Sequence, residues 1–389
     1  MNSTNNSIKE TIFDENLFPP EVKIFRMLER HGWQVDPQKK YIPQIPGDSF
    51  SLDLLASKRL IHDGVTYNTV LLIDCKKNRA NDWLFFTTRN SQSDRDGGNL
   101  PMVNWSSNRY LGYALEKLSW KRKMGMMLPK YDFLKKLFRS ERQTVGFREL
   151  AKDCPEASGD AEIGLYLDRL VKALGFELNT LNRSGKNDAF YNFNLLLPMD
   201  EEFQEVYASG LGDNKPVVGQ PDHLGIVHRC VLEGREFLVK IDVCTFQAFE
   251  RRLLLYDQLH EWNSTFFAQL MGDFFDGIFK DPSRKEFQLK HCRTSFIHHL
   301  NREISGNFRH MENKLVKDLT LRFNTNQKLL EIDVYADDDV NAFLNESEEA
   351  RKIAQKFLRE WFHFDGKFNF SEPLWPINPF DSGFFSENL

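Results

Sequence analysis

Residues 65 to 77, VTYNTVLLIDCKK, constrain this chain most, because residues 70 to 73 are apolar without a break. Consecutive apolar residues put greasy side chains on both faces of a strand, so this segment reads as a central strand covered on both sides. It then ends abruptly in charge, at Asp74, Lys76 and Lys77. Residues 49 to 56, SFSLDLLA, read as its partner, joined through the polar turn SKRLIHDG, in which Asp63-Gly64 is the strongest turn signal. The expectation is an antiparallel hairpin.

Ahead of the hairpin, Pro19-Pro20 opens a helix that runs through EVKIFRMLERH and stops at Gly32. At about 100° per residue, Glu21 falls inside the stripe formed by Ile24, Phe25 and Leu28, while Lys23, Arg26 and Arg30 take the solvent side. An inward carboxylate is costly unless something pairs with it. A helix N-terminus also favours an acid through its dipole, which alone accounts for one at this position.

Residues two apart on a strand share a face, so Asp74 and Lys76 project together and Cys75 turns away. Asp53 approaches from the neighbouring strand and Glu21 from the packed helix. Three carboxylates and an ammonium at one place suit metal-assisted phosphodiester hydrolysis, because hard oxygens hold Mg²⁺ while a lysine orients the attacking water. In this reading Glu21, Asp53, Asp74 and Lys76 are catalytic. Asp53, Asp74 and the carbonyl of Cys75 form the shell of Mg²⁺, for which Mn²⁺ can substitute, and Glu21 supports a second ion or a water.

The same elements resemble the PD-(D/E)xK nuclease superfamily, the restriction-endonuclease-like fold: a helix with Glu21, a hairpin with Asp53, a strand ending Asp74-Cys75-Lys76. The wording LLIDCKKNRANDWLFF is similar to a subgroup in which an aromatic segment, here Trp83 to Phe86, follows the catalytic strand. LLLPMDEEFQEVY and FLVKIDVCTF look like its closing strands. Over residues 21 to 90 and 188 to 262 the likeness covers 145 of 389 positions. Leu52 stands where many members have Pro or an acid, and Asp74 where many have Glu; neither removes a ligand. The resemblance implies a metal-dependent endodeoxyribonuclease in host defence or DNA processing. An alternative keeps the fold as a nucleic-acid-binding or assembly protein that does not turn over.

With 389 residues the chain is long for one ordinary domain, and 41% hydrophobic residues supply a sizeable core. The expected division is a tail at 1 to 11, a nuclease-like α/β domain at 12 to 262, and a mostly helical region at 263 to 389. Within the α/β domain a helical insertion is read at 126 to 185, with Gly175 ending its last helix; its helices and a following hairpin suggest a winged helix-turn-helix. Strands are read at 189 to 197, 224 to 232 and 236 to 245, the last two joined at Glu233-Gly234.

A net charge of −5 excludes a polycation that binds nucleic acid over its whole surface. Charge is local instead. Nine Lys or Arg against two acids between 117 and 142 give +7, and eight acids between 331 and 350 give −8. Lys77, Lys121, Arg122, Lys123, Lys135, Lys136 and Arg139 are the candidate DNA contacts, against the common case of a solvated helix face.

Five dispersed cysteines without CxxC fit reduced thiols and a cytoplasmic setting. No stretch nears the roughly 18 apolar residues of a membrane span. His223, His228 and Cys230, or His291, Cys292, His298 and His299, match no zinc-finger spacing. No P-loop or GxGxxG predicts a nucleotide cofactor. A homo-oligomer stays open.

Overall fold

A computed structural model describes residues 18–42, 49–76, 81–90, 100–117, 119–139, 142–151, 161–184, 188–200, 202–208, 216–307, 315–336 and 338–373. The architecture is α/β with mixed sheets, and the chain divides into two compact units, 1–271 and 272–389. Among the described residues no helix is long and apolar enough to cross a membrane.

The first unit opens with helix α1 (Pro20–Arg30), which has proline at its first position and Gly32 just beyond its end at φ +76°. That left-handed conformation costs glycine nothing and lets the chain reverse into a strand. Strands β1 (Gln34–Tyr41), β2 (Phe50–His62) and β3 (Val65–Ile73) form an antiparallel meander. The residues SKRLIH, expected as a turn, continue β2. Only Asp63 and Gly64 turn, at φ 48° and 77°, as a two-residue hairpin with two left-handed residues requires. The tight pairing of β2 with β3 draws the polar residues into the ladder.

Strand β4 (Asn81–Arg89) leaves this sheet, and β5 (Val103–Ser106) returns to it. Helices α2 (Arg109–Glu116), α3 (Ser119–Met127) and α4 (Asp132–Phe138) precede strand β6 (Arg142–Ala151) and the long helix α5 (Ala161–Ser184). Two expectations change here. The segment FRELA, expected as helix, is strand, because it pairs antiparallel with β4 along the whole of β6; cross-strand pairing overrides local helix propensity. Gly175 does not end α5. A Cβ there would come within 3.3 Å of the Leu232 side chain, so the missing side chain allows close packing of helix on strand. Within this insertion, α5 packs on β2, β3 and β7 of the main sheet and also on β6.

Strands β7 (Ala189–Met199), β8 (Gln204–Ala208), β9 (Val217–Gly219), β10 (His223–Leu232) and β11 (Arg235–Thr245) follow, then helix α6 (Phe246–Phe275). The main sheet runs β1-β2-β3-β7-β11-β10, with β5 also on β7. β7 is parallel to both β3 and β11. The meander is thus joined to β7 by a crossover helix, as parallel neighbours require. A second sheet runs β6-β4-β8-β9.

Two cores fill the two faces of the main sheet. Ile24, Leu28, Leu71, Ile73, Trp120, Leu137 and Phe249 gather on the face of α1, α3, α4 and α6. Leu72, Trp83, Phe85, Leu170, Leu195 and Ile241 gather on the face of α5 and the second sheet.

The second unit holds α7 (Pro282–Asn307), β12 (Asp318–Asn324), β13 (Leu329–Tyr335), α8 (Asp338–Glu346), α9 (Glu348–Phe362) and β14 (Lys367–Ser371). Residues from 263 onward, expected as mostly helical, therefore also carry a three-stranded sheet, β12-β13-β14. The acidic stretch is absorbed locally: Glu331 and Asp333 pair with Arg322, and Glu348 and Glu349 sit in the first turn of α9, where its dipole favours them.

Candidate active site at the end of strand β3

The hairpin places Asp53 and Asp74 side by side. Leu54 pairs with Ile73 across β2 and β3, so the two aspartates occupy the next rung, on the last residues before the strands part. Asp74 is held by its amide, which donates to the Leu196 carbonyl of β7 at 3.2 Å; Lys76 N donates to Pro198 O at 2.9 Å. The triplet Asp74-Cys75-Lys76 is thus fixed by main-chain bonds to a buried strand.

Cys75 lies in the core beside Leu71 and Ile73, whereas Lys76 lies against Trp83 and Tyr166 of the other core. The expected alternation of Asp74 and Lys76 against Cys75 holds. Asp53 is placed less simply. Leu52 belongs to one core and Leu54 to the other, so β2 slips out of its two-residue period at Asp53, opposite Gln38 at φ 51°. The slip turns the Asp53 carboxylate to the Cys75 amide, which donates to Oδ2 at 2.7 Å.

Asp74 is fully buried, and burial, together with the neighbouring charge of Asp53, pushes its carboxyl up to about 7 against the pull of Arg169. Burial also raises Asp53. The Cys75 amide opposes that rise, and the charge of Glu21 adds to it. Glu21, in the first turn of α1, is therefore electrically part of the site.

Arg169 of α5 was not foreseen from sequence. Its Nη2 stands 2.7 Å from Asp74 Oδ2, a close ion pair. The signal was its spacing from Tyr166, which puts both on one helix face; the insertion between β3 and α5 hides where that face docks. Lys76, only 3% exposed, has Nζ 4.7 Å from the Tyr166 ring centre and 5.2 Å from that of Trp83. An ammonium over two aromatic faces is held by their quadrupoles in a partly dry setting.

The donor set fits a hard divalent cation. Asp74 Oδ1 is buried and takes no hydrogen bond among the described residues, and two adjacent carboxylates in low dielectric repel until a proton or a cation joins them. The site is not preassembled, because among the described residues no three His, Cys, Asp or Glu side chains converge to hold a metal ion. Arg169 supplies the positive charge at Asp74 instead.

The basic candidates are distributed differently. α3 and α4 pack into the core on the opposite face from Lys76, through Trp120, Met124, Leu134 and Leu137. Arg122 and Arg139 are exposed, Lys121 and Lys123 half-buried, and Lys135 and Lys136 exposed, with Lys136 paired to Asp132 at 2.7 Å. Lys77 lies outside the described residues.

A pH dependence follows for the metal-free protein. The folded carboxyl at Asp74 titrates near 7 and an unfolded one near 3.9, so between these values the folded state holds the extra proton. The stability from this group is complete below about pH 4 and is lost as pH rises through about 7. Urea unfolding in EDTA should show stability falling across that window, by at most about 1.4 kcal/mol per pH unit, and Asp74→Asn should flatten the fall. An equal slope in the variant would refute the assignment.

Comparison of the chain with protein-family models, with curated proteins and with solved structures finds no match.

Proposed function

We propose that this chain is a Mg²⁺-dependent nuclease of the restriction-endonuclease-like fold that hydrolyses DNA phosphodiester bonds. The observation that carries the reading is the pair of half-buried Asp53 and buried Asp74 on adjacent strands, with Lys76 two residues further on the face of Asp74. The order of helix, hairpin and charged strand end supports it, as does the electrostatic reach of Glu21 to Asp53.

Asp53, Asp74 and the Cys75 carbonyl would hold the cation, with Glu21 supporting a second ion or a water. The cation supplies charge neutralisation at the phosphate and a more acidic water. Lys76 Nζ orients the attacking water and stabilises the negative charge that develops on the phosphate oxygens. The rings of Trp83 and Tyr166 exclude water from that ammonium and so strengthen its field. Arg169, about one-third exposed, pairs with Asp74, and its guanidinium would be free to meet the substrate phosphate once a cation neutralised that carboxylate.

The Arg169–Asp74 ion pair also favours a second reading, in which an arginine permanently replaces the metal and the fold binds nucleic acid without cutting it. Plasmid nicking separates the two. The nuclease reading expects supercoiled DNA to relax in Mg²⁺ or Mn²⁺ and to stay intact in EDTA. DNA binding without cleavage in any divalent metal would leave only the second.

A further inference from the structure

A cavity of about 260 Å³ lies in the first unit where the end of α4 meets β6, β10 and β11. Lys136, Arg139, Arg142, Lys240 and His223 line it, and Glu205 is the carboxylate among its lining residues. That carboxylate is already engaged: Oε1 accepts from Thr87 Oγ1 at 2.7 Å, and Oε2 pairs with Arg142. The guanidinium of Arg142 also lies 4.5 Å from the Tyr207 ring centre, so its plane is set from below and from one side. A planar fork fixed in this way loses little freedom when it meets an oxyanion.

Lys240 forms the inner wall. Its side chain is 13% exposed, 3.7 Å from Asp242 Oδ1, and donates to the Leu137 carbonyl. Burial lowers the pKa of its ammonium, and the Asp242 charge only partly opposes that. A buried ammonium gains from a further anion. Gly225, across the ladder, makes room for it: a Cβ there would stand 2.5 Å from Lys240 Cε. The missing side chain is what lets the lysine lie along the cavity.

We propose that this cavity is a binding site for a phosphate group, carried by a nucleotide or by the end of a nucleic-acid strand. Its volume is below the range of sites that enclose drug-sized ligands, so it suits a phosphate with part of a sugar. Fixed guanidinium and ammonium donors match a dianionic phosphate in both charge and geometry. The site shares no residue with Glu21, Asp53, Asp74 and Lys76, and it does not depend on the nuclease reading.

The test is calorimetric titration of the full chain with inorganic phosphate at fixed ionic strength, chloride serving as the control anion. The wild type should show saturable binding. Arg142→Gln should weaken it by roughly 10- to 100-fold, the scale of charge-assisted hydrogen bonds, and Arg139→Gln should weaken it further; both side chains reach solvent, so the fold survives. Gly225→Ala, checked for folding by circular dichroism, should weaken it by displacing Lys240. A 5′-phosphorylated oligodeoxynucleotide that outbinds its 5′-hydroxyl form assigns the strand end, and equal affinity for a nucleoside monophosphate assigns the nucleotide; either upholds the site. No saturable phosphate binding by the wild type, or binding unchanged in the Arg139→Gln, Arg142→Gln double variant, overturns it, whatever plasmid nicking shows.

Discussion

Lys76→Met is expected to lower the rate of metal-dependent plasmid nicking by about 10² to 10³ while leaving Mn²⁺ affinity nearly unchanged, because a preorganised charge at the reacting phosphate contributes on that scale. Methionine keeps the length and the packing against Trp83 and Tyr166 and removes only the charge. Asp74→Asn should behave differently. In the nuclease reading it deletes a ligand, so calorimetric Mn²⁺ affinity and cleavage should fall together, with stability unchanged or raised above pH 7, where a buried charge has been removed. Arg169→Gln takes away the competitor for Asp74 and should tighten Mn²⁺ binding. The three variants together make a pattern that general misfolding cannot imitate. Full cleavage by Lys76→Met would remove this lysine from the mechanism, and Mn²⁺ affinity unaltered in Asp74→Asn would remove the metal from Asp74.

Much of this site was legible because it rests on strand periodicity. The apolar run of residues 70 to 73 fixes β3 in the middle of the sheet, and a period of two then puts Asp74 and Lys76 on one face with Cys75 on the other. Asp53 was legible in position but not in direction. Its carboxylate reaches the Cys75 amide where the side-chain alternation of β2 breaks opposite Gln38, and a residue with positive φ on the neighbouring strand leaves no mark on β2 itself. Arg169 was illegible for another reason. Its docking on the hairpin depends on which strand α5 crosses, and the intervening β4 to β6 segment separates the two in sequence. The strand at FRELA shows the same limit: RELAK alone favours helix, and only the long pairing with β4 makes it extended. The Lys240-Ile241-Asp242 run on β11 has a structural task. Its alternation sends Lys240 and Asp242 to the α6 face, away from Lys76.

That task gives the largest stability effect expected here: Arg252→Met should cost the first unit about 3 to 5 kcal/mol, the cost of breaking a buried ion pair from one side. Arg252 Nε donates to Asp242 Oδ2 at 2.8 Å, Nη2 donates to the same oxygen, and Tyr256 OH donates to it at 3.0 Å. Burial by itself would raise the Asp242 carboxyl; the Arg252 guanidinium and then the Lys240 ammonium overcome it and hold the group below the ordinary range. Without Arg252, Asp242 loses its closest counter-charge in the core, and the Lys240 ammonium is 3.7 Å away. The Asp242→Asn, Arg252→Met double variant should be more stable than Arg252→Met alone, because the orphaned charge is gone. Tyr256→Phe should cost roughly 1.5 to 3 kcal/mol, as for a hydrogen bond to a charged group. Five of the seven tryptophans lie in the first unit, so fluorescence in a urea titration reads mainly its unfolding. The network also holds α4, since Arg252 Nη1 donates to the Lys136 carbonyl at 3.4 Å and Lys240 Nζ to that of Leu137. Loss of Arg252 should therefore loosen the wall that carries Lys136 and Arg139 and weaken phosphate binding before the unit unfolds. A change below about 1 kcal/mol in Arg252→Met, on a scale where unpaired buried charges cost several, would show that water reaches Asp242 and that the network is not closed.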